Sequence, residues 1–326
     1  MKTKKIRPAL VSLVWMVLLA HPASSPAQTL FSTPHTFHNN VAYVSGGHAR
    51  QIMDIYTPTG ATGPLPVVLY VHGGGWNSGD AESYLNLWPG LGQGTFAIAA
   101  VNYRLNAPNI VEPLLTQVDD IKAAIRFIKA NAATYNINPN LVGLMGQSAG
   151  AHLSGLAALS SDIARFGSES DLANQQNLGQ STQVQAVVSW ALPPGAPSGN
   201  STFTLANYIG SGDPAFRMFH SPTDETVSIT FARSFRDAMV NAGVGATLTE
   251  LSGPHFPLQP TREAATPTIV SYFNSQFAAV PEPSTAAMAG ASLAALWLGS
   301  RRLPRGGRTI ASPQRNASVE GRGLAQ

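Results

Sequence analysis

The chain has 326 residues, 44% of them hydrophobic and 11% charged, with no cysteine. That length and apolar share exclude a disordered chain and a small disulfide-stapled scaffold, and support a sizeable core in one or two domains. The formal charge of +3 gives no ground for a nucleic-acid partner: residues 28–280 hold 10 Lys and Arg against 15 Asp and Glu, a formal −5, and the excess of basic residues lies at the two ends.

The N-terminus reads "MKTKKIR", then the apolar run Ala9 to Ala20, then "HPASSPAQ". The run is shorter than the roughly 20 residues of a membrane span. With Ser25-Pro26-Ala27 behind it, residues 1–27 are expected to be a signal peptide, cut by signal peptidase after Ala27. From 28 to 280 strands and helices alternate. "NNVAYVS" and "RQIMDIYTP" predict an early hairpin across "GGHA". "LPVVLYVHGGG", "TFAIAAVNYRL" and "LVGLMG" are apolar runs of strands buried on both faces. Between the last two, Leu114, Val118, Ile121, Ile125 and Ile128 recur at three and four, which predicts an amphipathic helix. Next come a helix from Ala149, the strands "VQAVVSW" and "AFRMFHS", the helix "SITFARSFRDAMVNAG", the strand "ATLTELSG" and the helix "REAATPTIVSYFNSQFA". This rhythm predicts an α/β fold, a mostly parallel central sheet flanked by helices on both faces, with ligands bound at the carboxyl ends of the strands.

Gly146-Gln147-Ser148-Ala149-Gly150 fits G-x-S-x-G between a strand and a helix. A sharp corner there lifts a serine hydroxyl above the sheet, with the next amide at a helix N-terminus. The bland reading is that a tight corner needs a small residue. "YVHGGGWNSGD" adds Gly73, Gly74 and Gly75 after a buried strand, where backbone N–H groups can face a substrate. A phosphate-binding loop is the rival reading, but no Gly-Lys-Ser/Thr follows, and Trp76 is a poor phosphate neighbour.

With these motifs the chain resembles the α/β-hydrolase superfamily, in particular its HGGG-type esterases of the hormone-sensitive-lipase-like and feruloyl-esterase-like groups. The resemblance runs from about Val41 to Phe277 and takes in "VNYRL" (Val101 to Leu105) and the helix that carries Asp120. It implies an α/β-hydrolase fold and a serine esterase in which Gly74, Gly75 and Ala149 form the oxyanion hole, while His72 and Gly73 shape the loop. In this fold the nucleophile is followed by an acid and then a histidine. His255 follows the last predicted strand and is the base. His152 is assigned to packing, and His220 to shaping the turn after its strand. "FRMFHSPTDETV" resembles the family's His-Gly-x-x-Asp pattern, with Ser221 in the glycine position and Asp224 in the acid slot. Glu225 is the alternative acid, and Asp213 precedes the strand on the wrong side. The expected substrate is a small-molecule acyl ester, with no metal and no cofactor. Acylated carbohydrate is one candidate. Trp76, Trp190, Phe256 and the loop "ALPPGAPSGN" are candidates to line its pocket, each equally readable as packing. A non-catalytic envelope protein and an amidase or peptidase on the same fold stay open as alternatives.

At the C-terminus, Pro281-Glu282-Pro283, an uncharged stretch from Ala286 to Ser300, and Arg301, Arg302 and Arg305 resemble the PEP-CTERM sorting signal of Gram-negative bacteria. The resemblance implies a sorting segment at 281–305 that an exosortase-like enzyme processes. A basic tail follows at 306–326. The protein would be exported to the envelope or beyond and touch membrane only through its terminal segments.

Overall fold

The computed structural model describes residues 34–92, 95–106, 113–195 and 201–280. The signal peptide, sorting segment and tail expected at 1–27, 281–305 and 306–326 lie outside the described residues, as does the 196–200 end of the Pro-rich loop. Among the described residues no helix is long and apolar enough to cross a membrane.

The strands are β1 (His35–Ala42), β2 (Ile52–Pro58), β3 (Leu65–Val71), β4 (Ala97–Val101), β5 (Ile137–Gln147), β6 (Ala186–Trp190), β7 (Ala215–His220) and β8 (Ala246–Glu250). They form one sheet in the order β1-β2-β4-β3-β5-β6-β7-β8. β2 pairs antiparallel with both β1 and β4, and every other neighbouring pair is parallel. The described α-helices are α1 (Ala81–Leu85), α2 (Pro113–Ala130), α3 (Ala149–Leu159), α4 (Ile229–Asn241) and α5 (Gln259–Ala278).

Strand alternation sends side chains to two cores. Val67, Leu69 and Val71 of β3 join α2, α3 and α4 on one face, whereas Val68 and Tyr70 join α1 and α5 on the other. The five apolar positions that predict α2 are all buried. Because β3, β5, β6 and β7 run parallel, their carboxyl ends share one edge: Val71 pairs with Gly146, Gln147 with Trp190, and Trp190 with Phe219. The loops that leave this edge begin at His72, Ser148, Ala191 and Ser221.

Two local features differ from the expectation. The first strand lies at 35–42 rather than 39–45, since His35 to His38 also pair with β2; a register shift between His38 and Val41 leaves Asn40 at φ 52°, its amide donating to Asp54 Oδ1 at 2.7 Å. The short α1 was not anticipated. Asp80 caps it by accepting from the amides of Glu82 and Ser83 at 3.1 and 3.2 Å.

Candidate active site

Ser148 occupies the corner between β5 and α3 at φ 54°, ψ −122°. A left-handed φ in a non-glycine residue is strained and persists only where its surroundings hold it. Two contacts do so. Its amide donates to Trp190 O at 2.8 Å, and its carbonyl accepts from His152 N at 3.1 Å. The corner is also packed to the limit: a Cβ on Gly150 would run into the carbonyls of Val71 and His72. Serine at an N-cap ordinarily accepts from the first amides of its helix. Here the side chain makes no capping bond; it is turned instead toward His255.

His255 lies in the loop after β8. Its Nε2 is 2.9 Å from Ser148 Oγ and its Nδ1 is 2.8 Å from Asp224 Oδ2. Asp224, in the loop after β7, is buried; its Oδ1 accepts from the amides of Thr226 and Val227, each at 2.8 Å. Burial alone would raise this carboxyl, but bonds from the Val227 amide, His255 and the Thr226 amide outweigh it and hold the pKa below the usual value. The structure thus brings Ser148, His255 and Asp224 together from three loops on one edge. Glu225 stands elsewhere: its carboxylate accepts from the His255 backbone amide at 3.2 and 3.4 Å rather than from the ring.

His220 and His152 take structural roles. His220 Nε2 donates to Val227 O at 2.9 Å and lies 3.4 Å from Asp224 Oδ2, so it holds the acid's own turn. His152 is fully buried, donates through Nε2 to Phe203 O at 2.7 Å, and meets the Trp76 ring edge-on. Burial pulls it down to about 4, so it is neutral at pH 7. Asp213 precedes β7 and accepts from Gly210 N.

Above Ser148 opens a cavity of about 1020 Å³. Gly74 and Gly75 form part of its wall. Gly74 has φ +111°, and a Cβ there would strike Ser78 O, so only glycine keeps this turn. Among the described residues, neither the Gly74 nor the Gly75 amide donates to another backbone group. Ala149 is buried at the first turn of α3. Trp76, Tyr84, Phe231 and Phe256 supply aromatic walls, and Pro193 to Gly195 close one side.

Of the two readings open for Trp190, packing is the one the structure shows, and its side chain does not line the pocket. It is buried against α5 and α1, stacked on Phe219 at 5.2 Å and edge-on to Trp88 at 5.3 Å. As the last residue of a strand covered on both faces, its side chain alternates to the α5 side. Only its backbone reaches the site.

Sequence reasoning passed over Arg50 and Tyr84, which belong to no motif. It pointed to "VNYRL" without a reason, and the structure supplies one. Tyr103 OH donates to His72 O at 3.0 Å, Asn102 Oδ1 accepts from Ala81 N at 3.0 Å, and Arg104 pairs with Asp120 at 2.6 Å and Asp171 at 2.9 Å.

Comparison with known proteins agrees with this architecture. The chain is similar to a truncated carbohydrate esterase from gut microbiota, with a TM-score of 0.64 at 24% identity over 74% of this chain and 96% of that one. It is also similar to Thermogutta terrifontis esterase 2 phosphorylated by paraoxon, with a TM-score of 0.57 at 21% identity over 73% of this chain and 94% of that one. The sheet order, the flanking helices and these likenesses define an α/β-hydrolase fold. The family model BD-FAE matches residues 53–196. Among curated relatives, a probable isoprenylcysteine alpha-carbonyl methylesterase, ICMEL2 of Arabidopsis thaliana, is 31% identical over 161 residues, 49% of this chain. That alignment spans 37% of the length of the relative.

Proposed function

We propose that the protein is a serine hydrolase of carboxylic esters, with Ser148 as nucleophile, His255 as general base and Asp224 as the acid that orients it. The observation that carries this is the unbroken chain from Ser148 Oγ to His255 Nε2 and from Nδ1 to Asp224 Oδ2, at 2.9 and 2.8 Å. A serine hydroxyl is a weak nucleophile until a base in hydrogen-bond reach takes its proton. His255 removes that proton as Oγ attacks the carbonyl, and the negative oxygen is met by the amides of Gly74, Gly75 and Ala149. The imidazolium, stabilised by Asp224, returns the proton to the departing alcohol. Water, activated by the same base, then releases the acid and regenerates the serine. Asp224 is preferred to Glu225 because it alone touches the ring.

The BD-FAE match over the stretch that holds the glycine loop and Ser148, and relatives described as esterases, support esters over amides. Acylated carbohydrate is a candidate substrate, since one structural relative is described as a carbohydrate esterase. The terminal sequences support export, with cleavage by signal peptidase and an exosortase-like enzyme. Hydrolysis of p-nitrophenyl acetate and butyrate by the protein and by Ser148→Ala tests the activity. The reading requires the variant to fall to background, and equal rates would end it.

A further inference from the structure

The glycine loop leaves β3 at His72 and reaches α1 at Asp80. His72 is fully buried and stacked on Tyr103, centroids 4.3 Å apart. Its Nδ1 is 2.7 Å from Gly73 O. A carbonyl only accepts, so Nδ1 carries the proton. Its Nε2 is 3.2 Å from Arg50 Nη2, and a guanidinium only donates, so Nε2 presents its lone pair. The two neighbours fix one tautomer of a neutral ring. Burial, foremost, pulls His72 down to about 4, with Arg50 acting in the same direction and the Gly73 bond opposing.

Arg50 reaches further. Its Nη2 also lies 2.9 Å from Gly79 O and 3.1 Å from Asn102 Oδ1, so its two N–H groups are shared among three acceptors, and its Nε donates to Tyr103 O at 2.9 Å. One guanidinium on the β1–β2 connection therefore ties the first residue of the glycine loop, its far end and the end of β4. Through Asn102, which accepts from Ala81 N, it also ties the start of α1. Its acceptors are uncharged, so the contact serves geometry rather than charge pairing. A planar fork suits this task, because its donors point in fixed, divergent directions.

We propose that Arg50 is a positioning residue for the Gly74 and Gly75 amides, acting through His72 and the two ends of the glycine loop. It touches neither substrate nor Ser148. This rests on the esterase reading, in which those amides receive the oxyanion. Preorganised donors lose their value when displaced, and a shift near 1 Å costs on the order of 100-fold in rate.

The test uses the full chain as wild type, Arg50→Met and Arg50→Lys. Sites are titrated to completion with a fluorophosphonate, and p-nitrophenyl butyrate turnover is expressed per titrated serine. For Arg50→Met, kcat per titrated serine is expected to fall about 10- to 100-fold, with KM changed by less than about threefold. Arg50→Lys, which keeps a cation but not the fork, is expected to fall less. A structural role alone would lower the number of titratable sites and leave turnover per site unchanged; that result in folded Arg50→Met, with wild-type KM, overturns the proposal. Nitrogen-15 spectra of the His72 ring give a reading free of catalysis. The Nδ1–H tautomer, held by Gly73 O, is expected in both, and the Nε2 resonance is expected to shift in Arg50→Met, where its donor is lost. If wild type neither turns over nor takes the label, the esterase reading fails, and an unchanged His72 spectrum in Arg50→Met then overturns the Arg50 contact separately.

Discussion

The amide of Ser148 donates to the carbonyl of Trp190 at 2.8 Å, so the strained corner of β5 is held by the carboxyl end of β6. The Trp190 side chain faces the opposite way, into the core that α5 covers. Trp190→Ala should therefore act as a core truncation, costing about 3–5 kcal/mol of stability. Denaturant unfolding reads the loss. Acyl-chain preference of the remaining folded enzyme is expected to match wild type, whereas Trp76→Ala and Phe256→Ala, which open cavity walls, should change it. A selectivity change from Trp190→Ala alone would contradict the assignment of its side chain to the core.

Strain at Ser148 has its own signature. A non-glycine residue held in a sparsely populated backbone region costs of order 1–3 kcal/mol. Glycine relieves this at some entropic cost. Ser148→Gly should thus be more stable than Ser148→Ala by about 1 kcal/mol in urea melts. Equal stability would mean that the corner is relaxed.

The two carboxylates beside His255 make different contacts, and substitution should separate them. Asp224→Asn leaves the shape, but with its oxygen held by the Thr226 and Val227 amides it turns an NH2 donor toward His255 Nδ1, and a fall in kcat of about 10⁴-fold is expected. Glu225→Gln retains an oxygen for the His255 amide, and its rate should stay within about tenfold of wild type. Steady-state kinetics on one ester distinguishes them; the reverse order would make Glu225 the acid.

His72 and His152 are both buried neutral, each pulled to about 4 chiefly by burial. Between pH 6.5 and 4 the unfolded chain binds protons that these rings refuse in the folded state. Stability therefore falls as pH falls through that window, by about 3 kcal/mol for each ring. Urea midpoints across pH 4 to 7 should show this slope, and His152→Gln should remove up to one proton of it, about 1.4 kcal/mol per pH unit. An unchanged slope would show that His152 is not held neutral.

Much of this was legible in the residues because the informative patterns are local. The continuous apolar strands, the three-and-four spacing of α2 and the G-x-S-x-G corner each announce themselves within a dozen positions. Ser148, Asp224 and His255 could be nominated because the resemblance supplies the order of nucleophile, acid and base and the strand ends supply the places, although Glu225 stayed open beside Asp224. What escaped depends on facing or on distance. A strand buried on both faces carries no alternation, so the side on which Trp190 packs could not be read. A helix of five residues, as α1 is, leaves no period to detect. Arg50 stands 22 residues before His72 and in no motif; only the sheet order, which sets β2 beside β4 and β4 beside β3, brings them together.

The most direct measurement of the central claim is mass mapping of the adduct formed with a fluorophosphonate, set beside the burst of p-nitrophenol from an ester. One equivalent of label is expected on the peptide containing Ser148, with ester turnover lost in proportion and no labelling of Ser148→Ala. Label on another residue, or ester turnover that survives full modification of Ser148, would contradict the account.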